Sequence, residues 1–139
     1  MTAEYKYGTS SKAELKTVHP DLQKVAVRAL VLSVVDFRIL QGIRSFADQL
    51  KAFQGGFSKI DPRKQKGRHM VGCAIDFMVW DAATGKFTFG KPSLYAKVRE
   101  AFWAASKELK IPIRTLEKIG DLGHVELLKS VYPNDWKGH

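Results

Sequence analysis

The sequence is short of cysteine, of long apolar runs and of glycine-rich phosphate signatures, and each shortage removes a class of function. Its 139 residues include one cysteine, Cys73, which excludes an intramolecular disulfide and any multi-cysteine metal site. No apolar run approaches the roughly 20 residues that span a bilayer, so stable membrane insertion is not expected. The stretch from Met1 to Ser11 is polar and lacks the apolar segment of a secretory signal, so the chain is expected to stay in the cytosol until something releases it. Walker A and GxGxxG phosphate loops, the HExxH zinc helix and the GxSxG elbow of serine hydrolases are all missing. Internal repeats, low-complexity tracts and interdomain linkers are missing too.

What is present is an ordinary globular composition with an excess of positive charge. Hydrophobic residues make up 45% and charged residues 27%, which argues against general disorder. The length suits one domain, 1–139, with residues 1–17 as a loose N-terminal arm and monomer as the default state. Against 14 acids stand 23 Lys and Arg, a formal net charge of +9, which points to an anionic partner: nucleic acid, a membrane surface or a cell-wall polymer. A nucleic-acid contact would fall on Lys51 and the loop from Lys59 to Arg68. The basic residues are scattered, however, and no recognition-helix pattern accompanies them; the plain reading of that loop is a solvated face.

The apolar periodicity places the elements. Leu22, Val25, Ala26, Ala29 and Leu30 form the one-sided stripe of a helix, with Pro20 in its first turn and Asp21 at its positive end. Phe37 and Ile39 suggest a strand ending near Gln41-Gly42. Ser45 is placed to cap a short helix through about Phe53, stopped by Gly55-Gly56. Cys73 to Trp80 reads as a buried strand interrupted by one acid, Asp76, with a turn at residues 82–85 and a return strand from Lys86 to Phe89. Leu94, Val98, Ala101, Phe102, Ala105 and Leu109 mark the longest helix, and short strands are expected near Ile113 and over His124 to Leu128. The mixed order predicts an α+β fold, a small antiparallel sheet packed with about three helices.

Two segments combine metal-binding residue types with local glycines: the run Arg68 to Phe77 and the run Gly120 to Leu127. Together they supply His69, Asp76, His124, Asp121 and Glu126, enough for a His₂-carboxylate zinc site with an open fourth position. A straight strand would hold His69 and Asp76 roughly 23 Å apart, so sharing a metal requires the chain to fold back, and Gly72 is where the backbone can do so. Asp76 is costly in an apolar strand unless a cation compensates it: a metal on one reading, a salt bridge to Arg44 on the other. Asp121 precedes His124 across a turn containing Gly123, where it could serve a metal site as general base or be a plain turn aspartate. Glu126 shares the strand face of His124 and could be its hydrogen-bond partner or a substrate contact. His19 in the arm and His139 at the chain end are set aside.

These blocks, HMVGCAIDF and GDLGHVEL preceded by QGIRS at 41–45, resemble the peptidoglycan-cleaving zinc peptidases. That family comprises D-alanyl-D-alanine carboxypeptidases of the vancomycin-resistance type and L-alanyl-D-glutamate endopeptidases. The similarity extends from about residue 18 to residue 129. Asp121, where many carboxypeptidases carry Glu, leans toward the single-domain endolysins of tailed phages of Gram-negative bacteria. The resemblance implies one Zn²⁺ ion held by His69, Asp76 and His124 at the sheet face, with Asp121 as general base and acid. It implies Arg44 as the group that binds a substrate carboxylate or the developing oxyanion, and Ser45 and Gln49 as lesser substrate contacts. The activity implied is hydrolysis of the L-alanyl-D-glutamate bond of bacterial peptidoglycan, with release from the host cytoplasm at lysis. The alternatives are a D-alanyl-D-alanine carboxypeptidase and a non-catalytic basic module binding wall or nucleic acid.

Overall fold

A computed structural model describes residues 5–136. The elements follow one another as α1 (Thr9–Leu15), α2 (Pro20–Leu32), β1 (Phe37–Gln41), α3 (Phe46–Gln54), β2 (Ala74–Asp81), β3 (Lys86–Thr88), α4 (Pro92–Leu109), β4 (Ile113–Leu116), a 3-10 turn (Glu117–Ile119) and β5 (Asp121–Leu127). This is the expected α+β class, with one helix more than the sequence suggests. The segment read as a loose arm carries α1, and Leu15 and Val18 belong to the core. Its anchors are long-range: the Ile39 amide donates to Ser11 Oγ at 3.0 Å, and the Ile43 amide to Thr17 Oγ1 at 2.9 Å. His19 is also more than an arm residue, since its Nδ1 accepts from the Asp21 amide and caps α2. His139 lies outside the described residues.

All strand pairs are antiparallel, in the order β1-β2-β5-β4. β2 is the hub. β1 lies along one edge, while the other edge is divided: β5 pairs with residues 74–76 and β3 with residues 79–81. That division leaves a gap at Phe77 between two strands that share an edge without touching the same residues. Ile75, Phe77 and Val79 alternate onto the core face, against α4, on whose other side α2 packs; Asp76, Met78 and Trp80 point the other way. The expected buried strand is therefore two-faced, and Asp76 sits on the face turned away from α4.

Aromatic rings fill the centre of the core. Phe77 stacks on Phe102 and on Tyr95, with centroids 5.5 Å and 5.4 Å apart, and Phe37 meets both Phe77 and Phe102 from the side. Among the described residues no helix is long and apolar enough to cross a membrane. Phe102 is fully buried and links α4 to β1 and β2. Its replacement by alanine is expected to cost about 3–5 kcal/mol, read as a lower urea midpoint of the metal-free protein at an unchanged slope.

Candidate metal centre

β2 and β5 run side by side with Asp76 opposite His124, both on the face turned away from α2 and α4. His69 reaches them from the loop before β2. There the Gly72 amide donates to the His69 carbonyl and the Cys73 amide to the Arg68 carbonyl, so the chain doubles back. Gly72 has φ of 73°, and a Cβ at that position would stand 2.5 Å from the Trp136 ring. Only glycine meets both demands without strain. The fold-back anticipated from the sequence is thus made at Gly72.

The result is a compact trio. His69 Nε2 lies 3.3 Å, and His124 Nδ1 3.4 Å, from the same carboxylate oxygen, Asp76 Oδ1. One donor atom from each residue falls within 4.8 Å of the others, an arrangement that could hold a metal ion. The outer nitrogens are engaged as metal-ligating imidazoles require: His69 Nδ1 donates to the Gly42 carbonyl at 3.0 Å, and His124 Nε2 to Glu126 Oε1 at 2.8 Å. Those bonds turn the inner nitrogens toward Asp76, where they donate to its carboxylate and would become free to ligate an ion once they give up their protons. Two imidazoles and one carboxylate with a fourth position left over form a donor set that fits zinc.

Charge follows the geometry. Burial works against the ionised Asp76, but the charge of His69 and hydrogen bonds from both imidazoles outweigh it and hold the carboxyl well below its usual range. Burial likewise opposes a charged His124, yet the Asp76 and Glu126 carboxylates prevail and raise it to about 9 in the metal-free protein. Asp121 moves in the opposite sense to Asp76. Burial first, then the neighbouring negative charge of Asp76, push it above the ordinary carboxylate value.

Asp121 stands at the first position of β5, with Oδ2 3.8 Å from His124 Nδ1 and its side chain half exposed. The turn before it lies at Gly120, not at Gly123 as the sequence suggests. Gly123 is inside the strand, where a Cβ would be 2.4 Å from the Phe77 carbonyl oxygen, so its role is to let β5 close on β2. From α4, Arg99 Nη1 donates to the Leu122 carbonyl at 2.9 Å and fixes the backbone beside Asp121.

Arg44 enters from the other side. Its Nη2 is 3.6 Å from Asp76 Oδ2, so the salt bridge that competes with a metal on sequence grounds exists alongside the trio. The guanidinium is held by Gln41 Oε1, which accepts from Nε and Nη2 at 3.2 Å and 2.8 Å, and by Gln49 Oε1, which accepts from Nη1 at 2.9 Å. Gln49, expected as a substrate contact, is instead buried at 2% exposure with its amide nitrogen bonded to Ser58 Oγ and the Ile60 carbonyl. Its carbonyl oxygen faces Arg44. The Ser45 hydroxyl accepts from the Asp48 amide and caps α3, as the sequence pattern indicates.

Sequence reasoning misses Arg68. It reads as part of the solvated basic loop, but it is nearly buried and donates from Nε to Glu126 Oε2 at 3.2 Å. Nothing near Arg68 in the chain announces this, because the partner is 58 positions away.

A cleft of about 280 Å³ opens beside Asp76 and Asp121, walled by Leu40, Phe89 and Leu122, with the buried Tyr95 and Phe77 beneath. The larger concavity, of about 500 Å³ between α2 and the end of α4, is lined by Val27, Val31 and Leu109 and contains none of these groups. Chemistry therefore belongs to the smaller one.

The sequence matches the profile of the family described as phage L-alanyl-D-glutamate peptidase over residues 3–127. It is 43% identical over 111 residues to the L-alanyl-D-glutamate peptidase of Escherichia phage T5, covering 79% of this chain and 78% of that one. Its fold superposes on the crystal structure of the Serratia marcescens L-Ala D-Glu endopeptidase ChiX with a TM-score of 0.79 at 29% identity, covering 92% and 94% of the two chains. A profile match spanning both halves of the trio, together with these two likenesses, establishes that the chain belongs to the phage L-alanyl-D-glutamate peptidase family.

Proposed function

We propose that this protein is a zinc-dependent endolysin that hydrolyses the L-alanyl-D-glutamate amide of peptidoglycan stem peptides. The observation that carries the reading is the convergence of His69 Nε2, Asp76 Oδ1 and His124 Nδ1, flanked by a raised carboxyl at Asp121 and a guanidinium at Arg44. His69, Asp76 and His124 would hold the ion, which when bound polarises a scissile carbonyl and acidifies water.

The chain's own groups divide the remaining work. Asp121 lies beside the trio without belonging to it, so its carboxylate is free to take a proton from water and return it to the leaving amine. Its upward shift brings it closer to the working pH, which favours both transfers. Arg44 keeps its guanidinium plane fixed by Gln41 and Gln49, so it meets a substrate carboxylate or a developing oxyanion without reorienting. The apolar walls of the cleft at Leu40, Phe89 and Leu122 exclude water from the backbone of a bound peptide. The net charge of +9 draws the protein to the anionic polymers of the envelope. The protein acts as a monomer, accumulates in the host cytoplasm, and reaches the wall once another protein opens the membrane.

Asp121→Ala is expected to retain zinc and lose on the order of 10²–10⁴ in rate. Zinc content and mass spectrometry of digested muropeptides provide the readout. Products cut after L-alanine support the assignment; release of terminal D-alanine alone would make the protein a carboxypeptidase, and undiminished cleavage by the variant would remove Asp121 from the mechanism.

Metal binding should also be proton-linked. Because His124 is raised to about 9 in the metal-free protein, zinc must displace its proton, so binding near pH 7 releases a proton and the release fades above pH 9. Calorimetric titration in buffers of different ionisation enthalpy measures it. The same shift fixes the sign for stability. Since the folded value exceeds the ordinary 6.5, the stabilisation from His124 is complete below pH 6.5 and is lost as pH rises through about 9. The melting temperature of metal-free protein should therefore fall across that window on this account.

A further inference from the structure

Residues 128–136, which follow β5, lie beyond the region matched by the family profile, which ends at residue 127. They do not trail away from the fold. Turns at Val131 and Tyr132 send the chain back toward the start of α2, where the Tyr132 hydroxyl donates to Asp21 Oδ2 at 2.7 Å and both Tyr132 and Trp136 pack against the His19 ring. The Trp136 ring covers Gly72, the residue at which the metal-ligand loop folds back. Between these contacts sits Asn134.

Asn134 uses both ends of its amide. Nδ2 donates to the Lys66 carbonyl at 3.1 Å, at the start of the loop that carries His69. Oδ1 accepts from Arg68 Nη1 at 2.6 Å. Each nitrogen of Arg68 thereby has a partner: Nη2 donates to the Leu127 carbonyl at 2.7 Å, and Nε to Glu126 Oε2 at 3.2 Å. Glu126 in turn accepts from His124 Nε2 through its other oxygen, at 2.8 Å. An unbroken chain of hydrogen bonds thus runs from Asn134 through Arg68 and Glu126 to His124.

We propose that Asn134 is a positioning residue for the metal centre, fixing Arg68 so that Glu126 holds the His124 ring with Nδ1 toward the ion. This rests on the reading of His69, Asp76 and His124 as a metal site. The physical reason is directional. Glu126 has two oxygens, one spent on His124 and one on Arg68, and it presents the first correctly only while the second is anchored. The Arg68 guanidinium is planar with donors in a fixed fork, so Asn134 and the Leu127 carbonyl set the plane in which Nε meets Glu126. Without Asn134 one end of the fork is free, and His124 gains rotational freedom that binding must then remove.

The test is zinc affinity, measured by competition with a chromophoric chelator on full-length protein and compared with the far-ultraviolet dichroism of each metal-free variant. Asn134→Ala should bind zinc roughly 10-fold more weakly, in line with the loss of other outer-shell partners. Asn134→Asp keeps an acceptor for Arg68 and should bind close to wild type. Arg68→Met should itself weaken zinc, and adding Asn134→Ala to it should change little further, because the two act along one path. Wild-type affinity in Asn134→Ala, weak binding by a folded Asn134→Asp protein, or additive losses in the double variant would overturn the proposal while leaving the metal centre standing. A wild-type protein that binds no zinc would overturn the metal reading itself, and this inference with it.

Discussion

One carboxylate oxygen, Asp76 Oδ1, lies between two imidazole nitrogens, and the rest of the molecule is arranged to keep it there. An acid held close to two histidines and an arginine can remain ionised in a half-buried position because its surroundings are positive. Each neighbour is in turn fixed by something else: His69 by the Gly42 carbonyl, His124 by Glu126, Arg44 by two glutamines. Those supports come from β1 and the residue after it, from β5 and from α3, while the loop before β2 supplies His69, so the sheet, the short helix and the loop together build one oxygen's environment. The electrostatic consequence separates two acids that stand close together. Asp76 is driven down and Asp121 up, a separation that suits the ligand and proton-acceptor roles proposed for them.

The elements that can be read from the sequence are those whose cause is local. The stripe from Leu94 to Ala105 yields α4, the stripe from Leu22 to Leu30 yields α2, and Ser45 caps α3 where a serine should. The residues of the trio are legible because an aspartate inside an apolar strand needs a compensating cation, and because the glycine-flanked blocks together resemble a known family. What escapes is whatever depends on distant partners. α1 shows only a short apolar stripe, and its stability comes from Ser11, Leu15 and Thr17 meeting β1 and the segment after it. Gln49 resembles a substrate contact by its place in the motif, yet packing turns it onto Arg44. Arg68 stands in a run of cations and looks like one of them. Only the fold shows that it is drawn inward, to a glutamate on β5.

The divided edge of β2 connects the architecture with the cleft. Had β3 or β5 paired along the full edge, a strand would run beside Phe77 and Met78 where the depression adjoining Asp76 now lies. Because each takes one end, the opening appears where a strand would otherwise run, with Gly123 drawn against the Phe77 carbonyl at its base and Phe89 at its rim. The core beneath is closed by the stacked rings of Phe77, Phe102 and Tyr95.

Cys73 adjoins this region and takes no part in it. It is wholly buried at the entrance to β2, and burial raises its thiol above the ordinary value, which keeps it protonated and unreactive. The donors of the trio are nitrogen and oxygen, none of which changes oxidation state under biological conditions. With no sulfur among those donors and the one thiol shielded, neither the fold nor the side chains of the trio depend on the oxidation state of a cysteine.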